Sequence, residues 1–438
     1  MTRRAYIETY GCQMNIGDSE LMKGALAKRG YLQVPAPELA DVIVVNTCAI
    51  RENAEKRVLG RIGQLQRVRQ IRPDVVLAVT GCMAQRMGPD LLEKAPGVDL
   101  VAGPDSYRRI AELLDGIRSG GIERGQLLLE LDEGENYEGV PAIRGEGTGA
   151  WVTVQRGCDH RCTFCIVPYV RGPEKNRDPK EILAEVRAAA AAGYAEITLL
   201  GQTVNSYRHG EVPFAGLLRD VSRVDGVRRV RFTSPHPNDV DDALLQVMAT
   251  EPAVCAQLHL PVQSGSNRVL RRMVRRYTRE EFLAIVDRVR ERVPGVALST
   301  DVIVGFPGET EMDFEETLDL MRRVRFDDAY MYRDSPRDGT PATRLPAGDF
   351  VDDETSGRRL SELISRQREI QREIHETELG TVVEVLVERK ARTPGDLLGR
   401  TEGNKVVVFP AGGSRVGEFI PVRLLSTTGA TFLGRIVP

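Results

Sequence analysis

Three of the seven cysteines in this chain close strand-like runs. Cys12 follows the run from Ala5 to Thr9, Cys48 follows Val42 to Asn46, and Cys82 follows Val75 to Thr80. Each lies two or three residues past its run and directly after a small residue. Helical patterns fill 18–30, 52–70 and 84–95 between the runs. This alternation predicts an α/β unit with a doubly wound parallel sheet. In such a sheet every strand C-terminus lies on one edge, and that edge is the ligand crevice. Cys12, Cys48 and Cys82 are therefore expected to converge. Three thiolates can grip one iron–sulfur cube and leave its fourth iron open. Isolated buried cysteines are common singly, but the same strand-end placement three times argues for a shared site.

A second triplet is compact. Cys158, Cys162 and Cys165 form C-x-x-x-C-x-x-C on a loop that leaves the run Trp151 to Gln155. They too suit a cube with one open iron. A zinc knuckle wants four ligands, and His160 reaches a fourth position only by straining the loop. Further strand-like runs follow at Glu196 to Leu200, Arg229 to Thr233, Ala256 to Leu260, Leu298 to Val304 and Asp328 to Tyr332. Helical patterns such as Lys180 to Ala192 and Glu280 to Arg292 separate them. Six such units fit a partial (β/α)6 barrel better than a closed eight-stranded one, which takes about 250 residues. The cluster loop would then open at the barrel's C-terminal mouth. Cys255 has no cysteine nearby and reads as a small core residue.

A chain of 438 residues is too long for one ordinary core. We divide it into an N-terminal domain (1–118), a Gly- and Glu-rich linker with one strand at Gln126 to Leu131 (119–147), the barrel with a charged amphipathic helix from Asp353 to Thr377 (148–375), and a last domain (376–438). Five runs in that last part, 381–388, 397–401, 404–409, 418–427 and 430–437, predict a small antiparallel β-barrel. The net charge of −3 gives no overall basic field. From Gly380 onward, however, eight Lys/Arg stand against five Asp/Glu, a local +3, which leaves −6 for the rest. A basic appendage on an acidic body hints at RNA. No run approaches the roughly 18 apolar residues of a membrane span, and the N-terminus reads straight into a strand. A cytoplasmic setting without membrane contact, where thiols stay reduced, is expected.

The triplet at Cys158 resembles the signature of the radical S-adenosylmethionine superfamily. With the N-terminal trio, the chain resembles the MiaB-type tRNA methylthiotransferases over essentially its whole length. The resemblance is carried by Tyr10-Gly11-Cys12-Gln13-Met14-Asn15, Asp18-Ser19-Glu20, Asn46-Thr47-Cys48, Val167-Pro168-Tyr169-Val170-Arg171-Gly172 and Leu200-Gly201-Gln202-Thr203-Val204-Asn205-Ser206-Tyr207. It continues in His259-Leu260-Pro261-Val262-Gln263-Ser264-Gly265-Ser266, the stretch from Asp301 to Thr310, and Gly399-Arg400-Thr401-Glu402-Gly403-Asn404-Lys405. Departures are local. Lys175 and Asn176 precede Arg177 where the family pattern has a serine before the arginine, Pro235 replaces a serine before His236, and Asp334 stands where a tyrosine is common.

The resemblance implies two 4Fe–4S clusters and S-adenosyl-L-methionine. It implies that Cys158, Cys162 and Cys165 hold the cluster whose open iron chelates that cofactor. One-electron cleavage would yield a 5′-deoxyadenosyl radical that takes hydrogen from carbon 2 of N6-isopentenyladenosine. Sulfur held at Cys12, Cys48 and Cys82 would replace it, and a second S-adenosylmethionine would supply the methyl group. Gln202, Asn205, Ser234, Gln263 with Ser264, Asp301 and Gly305 are the implied cofactor contacts. Arg171, Glu174 and Arg177 are candidates to face cofactor or phosphate. The arginines 268, 271, 272, 275, 276 and 279 form a candidate phosphate rail, and the C-terminal barrel resembles a TRAM domain with Arg400, Lys405 and Arg415 toward RNA. Implied partners are a tRNA anticodon stem-loop and an electron donor such as flavodoxin or ferredoxin, with the enzyme a monomer. Methylthiolation of a ribosomal-protein aspartate or of threonylcarbamoyl-adenosine, and a non-enzymatic RNA-binding iron–sulfur sensor, are the competing readings.

Overall fold

The computed structural model describes residues 3–49, 52–145 and 147–437, so Glu146 of the expected linker lies outside the described residues. Its first unit is a six-stranded, all-parallel sheet in the order Tyr31–Gln33, Arg3–Thr9, Val42–Thr47, Val76–Gly81, Leu100–Ala102, Gln126–Leu128. Strand residues alternate between two cores. Val42, Val44, Val76 and Ala78 pack with the helices Gln13–Lys28 and Tyr107–Ser119 on one face. Ile43, Val45, Leu77 and Val79 pack with Glu52–Ile71 and two short helices on the other. The sheet is doubly wound, as expected.

Four local features differ from the sequence reading. The first helix begins at Gln13 rather than 18, because Cys12 caps it. The pattern at 84–95 is two helices, Cys82–Met87 and Pro89–Lys94, since Gly88 turns left-handed at φ +51° and Pro89 has no amide to continue the ladder. Tyr31–Gln33 and Leu100–Ala102 were not expected; at three residues each they are too short to show a period. The segment expected as a linker is draped over the N-terminal unit. Gln126–Leu128 supplies the sixth strand, and Tyr137 is buried with its hydroxyl 2.5 Å from the Pro104 carbonyl.

The second unit has six parallel strands in chain order: Gly149–Thr153, Glu196–Leu200, Arg229–Phe232, Gln257–His259, Ala297–Val304 and Asp328–Arg333. They form two three-stranded halves joined by a single parallel bridge between Val230 and Val254. One continuous core links both halves, from Val152 and Leu199 to Leu298 and Phe326. Cys255 is buried beside it, 2% exposed, as its isolation predicts. The helix Asp353–Thr377 lies along the last strand and buries Leu363 and Ile370 in the same core.

The C-terminal unit is a closed five-stranded barrel, in the order Val382–Lys390, Asp396–Arg400, Val406–Pro410, Thr431–Ile436, Phe419–Thr427. Its pairings are antiparallel except Val406–Pro410 with Thr431–Ile436, which is parallel. A closed ring with an odd number of strands cannot alternate direction throughout, so one parallel pair is required. This barrel docks on the N-terminal ends of the larger barrel's strands. Arg229 Nη1 donates to the Arg400 carbonyl at 2.9 Å and Arg231 Nη2 to the Thr401 carbonyl at 2.8 Å. Lys405 Nζ lies 2.6 Å from Asp327 Oδ1. Among the described residues no helix is long and apolar enough to cross a membrane.

Candidate functional site

In the first sheet the strand order reverses at Arg3–Thr9, which is flanked by the strands that come second and third in the chain. Ligands of open parallel sheets bind beyond the strand C-termini at such a switch point. Cys12 and Cys48 leave the two adjacent strands at that point, and Cys82 leaves the next. Two glycines allow the close approach. A Cβ on Gly11 (φ +136°) would lie 2.5 Å from Cys48 Cβ, and one on Gly81 (φ +93°) 2.3 Å from the Thr47 carbonyl. Two asparagines then tie the loops together. Asn15 Nδ2 donates to the Thr47 carbonyl at 3.0 Å, and Asn46 Nδ2 donates to the Asn15 carbonyl at 2.8 Å. A hydrogen bond from Cys48, opposed by burial and helped by the Arg171 charge, lowers the Cys12 thiol to about 6. Burial raises Cys82 above the ordinary thiol range. Cys12 and Cys48 are thus in hydrogen-bonding contact, and the Gly81 turn that leads into Cys82 packs on Thr47 beside them.

The second triad lies past the first barrel strand, on a loop whose base is a short antiparallel pair, Gln155–Arg156 with Lys175–Asn176. Cys158 Sγ is 3.0 Å from Thr203 Oγ1, and Cys162 Sγ accepts from Arg275 Nη1 at 3.5 Å. Burial, with the neighbouring Cys162 and Cys158 charges, pushes Cys165 up to about 12. Burial raises Cys158 as well, and three neighbouring thiols are a donor set suited to a cationic metal group, which stabilises the thiolates it binds. His160 does not complete a zinc site. Its Nε2 lies 3.3 Å from Asp239 Oδ2 and its ring stacks on His236 at 3.9 Å. With those rings only 9° from parallel, their in-plane lone pairs cannot converge on one ion.

The triads meet across the domain boundary. Ala49 and Cys82 form one buried apolar cluster with Ile166, which directly follows Cys165, and with Val170 one helical turn on, so this contact joins one cysteine of the first triad to the segment after the second. Around it runs a buried charge network. Asp18, with no exposed surface, accepts from Arg156 Nη2 at 2.8 Å and from Arg171 Nη2 at 2.7 Å. Lys175 pairs with Asp105 at 2.7 Å and so adds to the domain contact.

The expected cofactor contacts divide by environment. Gln202 carries a buried Oε1 with no partner, the free acceptor that an ammonium group would need. Asn205 is already engaged: its Oδ1 accepts from the His236 amide at 2.7 Å and its Nδ2 donates to the His236 carbonyl at 2.9 Å. Ser234 is exposed at the end of the third strand in a left-handed conformation, φ +58°. Gln263 (φ +69°) bridges to Val302 in the sheet direction, and Asp301 Oδ2 lies 3.3 Å from His259 Nε2. Gly305 and Ser264 read as packing positions. The Gly305 amide donates to Glu309 Oε2 at 2.6 Å, and a Cβ there would stand 2.7 Å from Ser356 Cβ. Ser264 is fully buried beside Thr317.

Several charged expectations are corrected. Glu174 accepts from Ser206 at 2.5 Å, and Arg177 is buried against the Thr153 carbonyl at 2.6 Å and Glu185 at 2.8 Å, so neither faces phosphate. In the arginine run, Arg268 pairs with Asp313, Arg272 with Asp349 at 2.5 Å and Arg279 with Asp319, while Arg275 is buried at Cys162. Arg271 and Arg276 remain exposed. Lys405 is committed to Asp327 and Glu378, and Arg400 to Glu388 at 3.3 Å, whereas Arg415 is exposed. Sequence reasoning missed Asn15 and Asn46 as the ties between cysteine loops, although both stand three or fewer residues from a cysteine. It named Arg171 and Arg275 only as candidates to face cofactor or phosphate, whereas each donates to a triad thiol.

The radical SAM superfamily matches residues 152–321, the uncharacterized protein family UPF0004 matches 4–103, and the TRAM domain matches 376–437. The chain is 44% identical over 435 residues to the tRNA-2-methylthio-N(6)-dimethylallyladenosine synthase of Carboxydothermus hydrogenoformans, covering 98% of this chain and 97% of that one. It is 42% identical to the enzyme of that name from Chloroherpeton thalassium, covering 98% and 95%. The fold resembles the radical S-adenosylmethionine methyltransferase TsrM from Kitasatospora setae, solved with cobalamin and a 4Fe–4S cluster, at TM-score 0.58 and 16% identity over 91% of this chain and 81% of that one.

Proposed function

The chain belongs to the tRNA-2-methylthio-N(6)-dimethylallyladenosine synthases, radical S-adenosylmethionine enzymes with a TRAM domain, and from that premise we propose how its own residues divide the work of methylthiolating carbon 2 of N6-isopentenyladenosine in tRNA. The observation that carries the proposal is the packing of Cys82, of one cysteine triad, on Ile166 and Val170, which follow the other triad across the domain boundary. Cys158, Cys162 and Cys165 would hold the 4Fe–4S cluster that engages S-adenosylmethionine, and Cys12, Cys48 and Cys82 a second cluster. Together these groups supply one-electron cleavage of S-adenosylmethionine, hydrogen removal from an unactivated carbon, and the sulfur.

The protein contributes position and enclosure. Gly11, Gly81, Asn15 and Asn46 bring three strand ends to one point. Asp18, Arg156, Arg171 and the Lys175–Asp105 pair hold the N-terminal sheet on the barrel. Gln202 is the acceptor for the cofactor's ammonium, while Asn205 holds the His236 turn. Exposed Arg271, Arg276 and Arg415 are left to meet RNA phosphate, since their neighbours are spent on ion pairs. An external one-electron donor of the flavodoxin or ferredoxin class completes the scheme. The domain limits that fit this division run from residue 3 through the Gln126–Leu128 strand, then from the Gly149 strand through the Asp353–Thr377 helix, then the small barrel.

The test is anaerobic reconstitution followed by iron analysis and product detection on an anticodon stem-loop containing N6-isopentenyladenosine. Two cubes require about eight irons per chain. Replacing Cys12, Cys48 and Cys82 by alanine should halve the iron and abolish the methylthio product while leaving 5′-deoxyadenosine formation. Full iron in that triple variant would overturn the two-cluster assignment.

A further inference from the structure

A buried arginine donates to one thiol of each triad. Arg171 Nε lies 3.2 Å from Cys82 Sγ, and Arg275 Nη1 lies 3.5 Å from Cys162 Sγ. The two side chains are 3% and 8% exposed by residue, so both charges are withdrawn from water. Burying an ion costs several kcal/mol unless a counter-charge compensates. At both places the compensation within the protein falls short.

Arg156 and Arg171 share the single carboxylate of Asp18. Their Nη1 atoms are both buried without a partner. Among the described residues Arg275 has no carboxylate hydrogen-bond partner: Nε donates to the Tyr277 hydroxyl at 2.9 Å, Nη2 to the Pro261 carbonyl at 2.9 Å, and Nη1 to Cys162. Asp18 offsets only one of the two charges of Arg156 and Arg171, and Arg171 and Arg275 each have as a further acceptor a triad sulfur, which becomes anionic when it binds metal. Arg171 also ends the helix Val167–Arg171, which starts two residues after Cys165. The arginine serving the N-terminal triad is therefore carried by the loop of the other.

We propose that Arg171 and Arg275 are positioning residues that supply the missing counter-charge to the two sulfur centres, each donating N–H to one ligand sulfur and so favouring the more negative, reduced form. This rests on the two-cluster reading above. Hydrogen bonds to cluster sulfurs and net charge are among the protein's levers on reduction potential. Loss of such a donor makes reduction harder. Arg171 acts on the Cys12/Cys48/Cys82 centre and Arg275 on the Cys158/Cys162/Cys165 centre.

The experiment is a redox titration of the reconstituted full chain followed by electron paramagnetic resonance. Each centre is read alone in a background where the other triad is alanine. Arg171→Gln should lower the reduced-to-oxidised ratio of the N-terminal centre about tenfold at a fixed potential, which is 59 mV for a one-electron couple, and leave the other centre unmoved. Arg275→Gln should do the reverse. Arg171→Lys and Arg275→Lys, which keep the charge, should fall between, and they serve where a glutamine variant fails to fold. Arg156→Lys, which disturbs the same Asp18 pair without touching a thiol, should move neither potential. Normal iron with unshifted potentials in both arginine variants overturns the proposal. So does an equal shift in Arg156→Lys, because the effect would then be one of domain docking. Iron near four in the parent chain instead overturns the two-cluster reading, and the Arg171 assignment falls with it.

Discussion

Asn15 and Asn46 hold each other from opposite sides of the N-terminal cysteine site. Asn46 Nδ2 donates to the Asn15 carbonyl at 2.8 Å, and Asn15 Nδ2 donates back to Asn46 Oδ1 at 3.2 Å. Neither has any exposed surface. The pair fixes the Cys12 turn against the Cys48 turn without contacting a third cysteine.

Asn46→Ala should therefore cost more than a buried side chain of its size. It removes the donor to the Asn15 carbonyl and to Ser19 Oγ in a dry site, at about 1 kcal/mol for each lost bond. The thermal midpoint should fall, and iron after reconstitution should drop toward half the parent value as the N-terminal site fails to assemble. Retention of all the iron would show that the cysteines alone define the site.

Lys405 and Arg271 are both basic residues in regions expected to meet RNA, yet the structure gives them opposite outcomes. Lys405 is half-buried between Asp327 and Glu378 at the junction of the two barrels. Lys405→Ala leaves those carboxylates unpaired, costing about 3 kcal/mol, and should be read as lowered stability and faster proteolysis at the 376–382 junction. Arg271→Ala and Arg276→Ala should leave stability unchanged. Each should weaken binding of an anticodon stem-loop and lower the salt slope of binding by about one.

Glu20 carries a pH dependence of defined sign. Burial, opposed by Arg144 and Lys23, raises its carboxyl to about 7, and its Oε2 is buried without a partner. Between its ordinary value of 4.5 and about 7, the folded chain keeps a proton that the unfolded chain has lost. The stabilising contribution is complete below 4.5 and is lost as pH rises through about 7. Glu20→Gln should consequently raise the thermal midpoint at pH 8, by the equivalent of about 3 kcal/mol, and change little at pH 4. An equal gain at both pH values would refute the titration.

The fold was legible where the physics is periodic. Runs such as Val42 to Asn46 and Leu298 to Val304 are long enough to display a strand, and cysteines at their ends inherit the geometry of a parallel sheet's edge. Three-residue strands such as Tyr31–Gln33 offer no such signal, and neither does the docking of Gln126–Leu128 onto a sheet formed earlier in the chain. Charge was the least legible property. Arg268, Arg272 and Lys405 read as free cations because their carboxylates, Asp313, Asp349 and Asp327, come from distant segments. Partners of that kind are set by tertiary contact, which local composition does not encode.

Gln202 and Asn205 stand three residues apart on one loop and share an expectation of cofactor contact, but they should fail differently. The buried, unpartnered Oε1 of Gln202 is free to accept from the cofactor's ammonium group, whereas both ends of the Asn205 amide are spent on the His236 backbone. Gln202→Ala removes one hydrogen bond to a charged donor, worth about 1.5–3 kcal/mol. The S-adenosylmethionine concentration giving half-maximal 5′-deoxyadenosine should rise at least about tenfold, with the saturated rate little changed and the thermal midpoint intact. Asn205→Ala should instead lower the midpoint and depress the rate at every cofactor concentration, because the His236 turn loses its clamp. If Gln202→Ala behaved like Asn205→Ala, with stability lost and no effect confined to cofactor concentration, then Gln202 would be part of the scaffold and the ammonium would have to be held elsewhere.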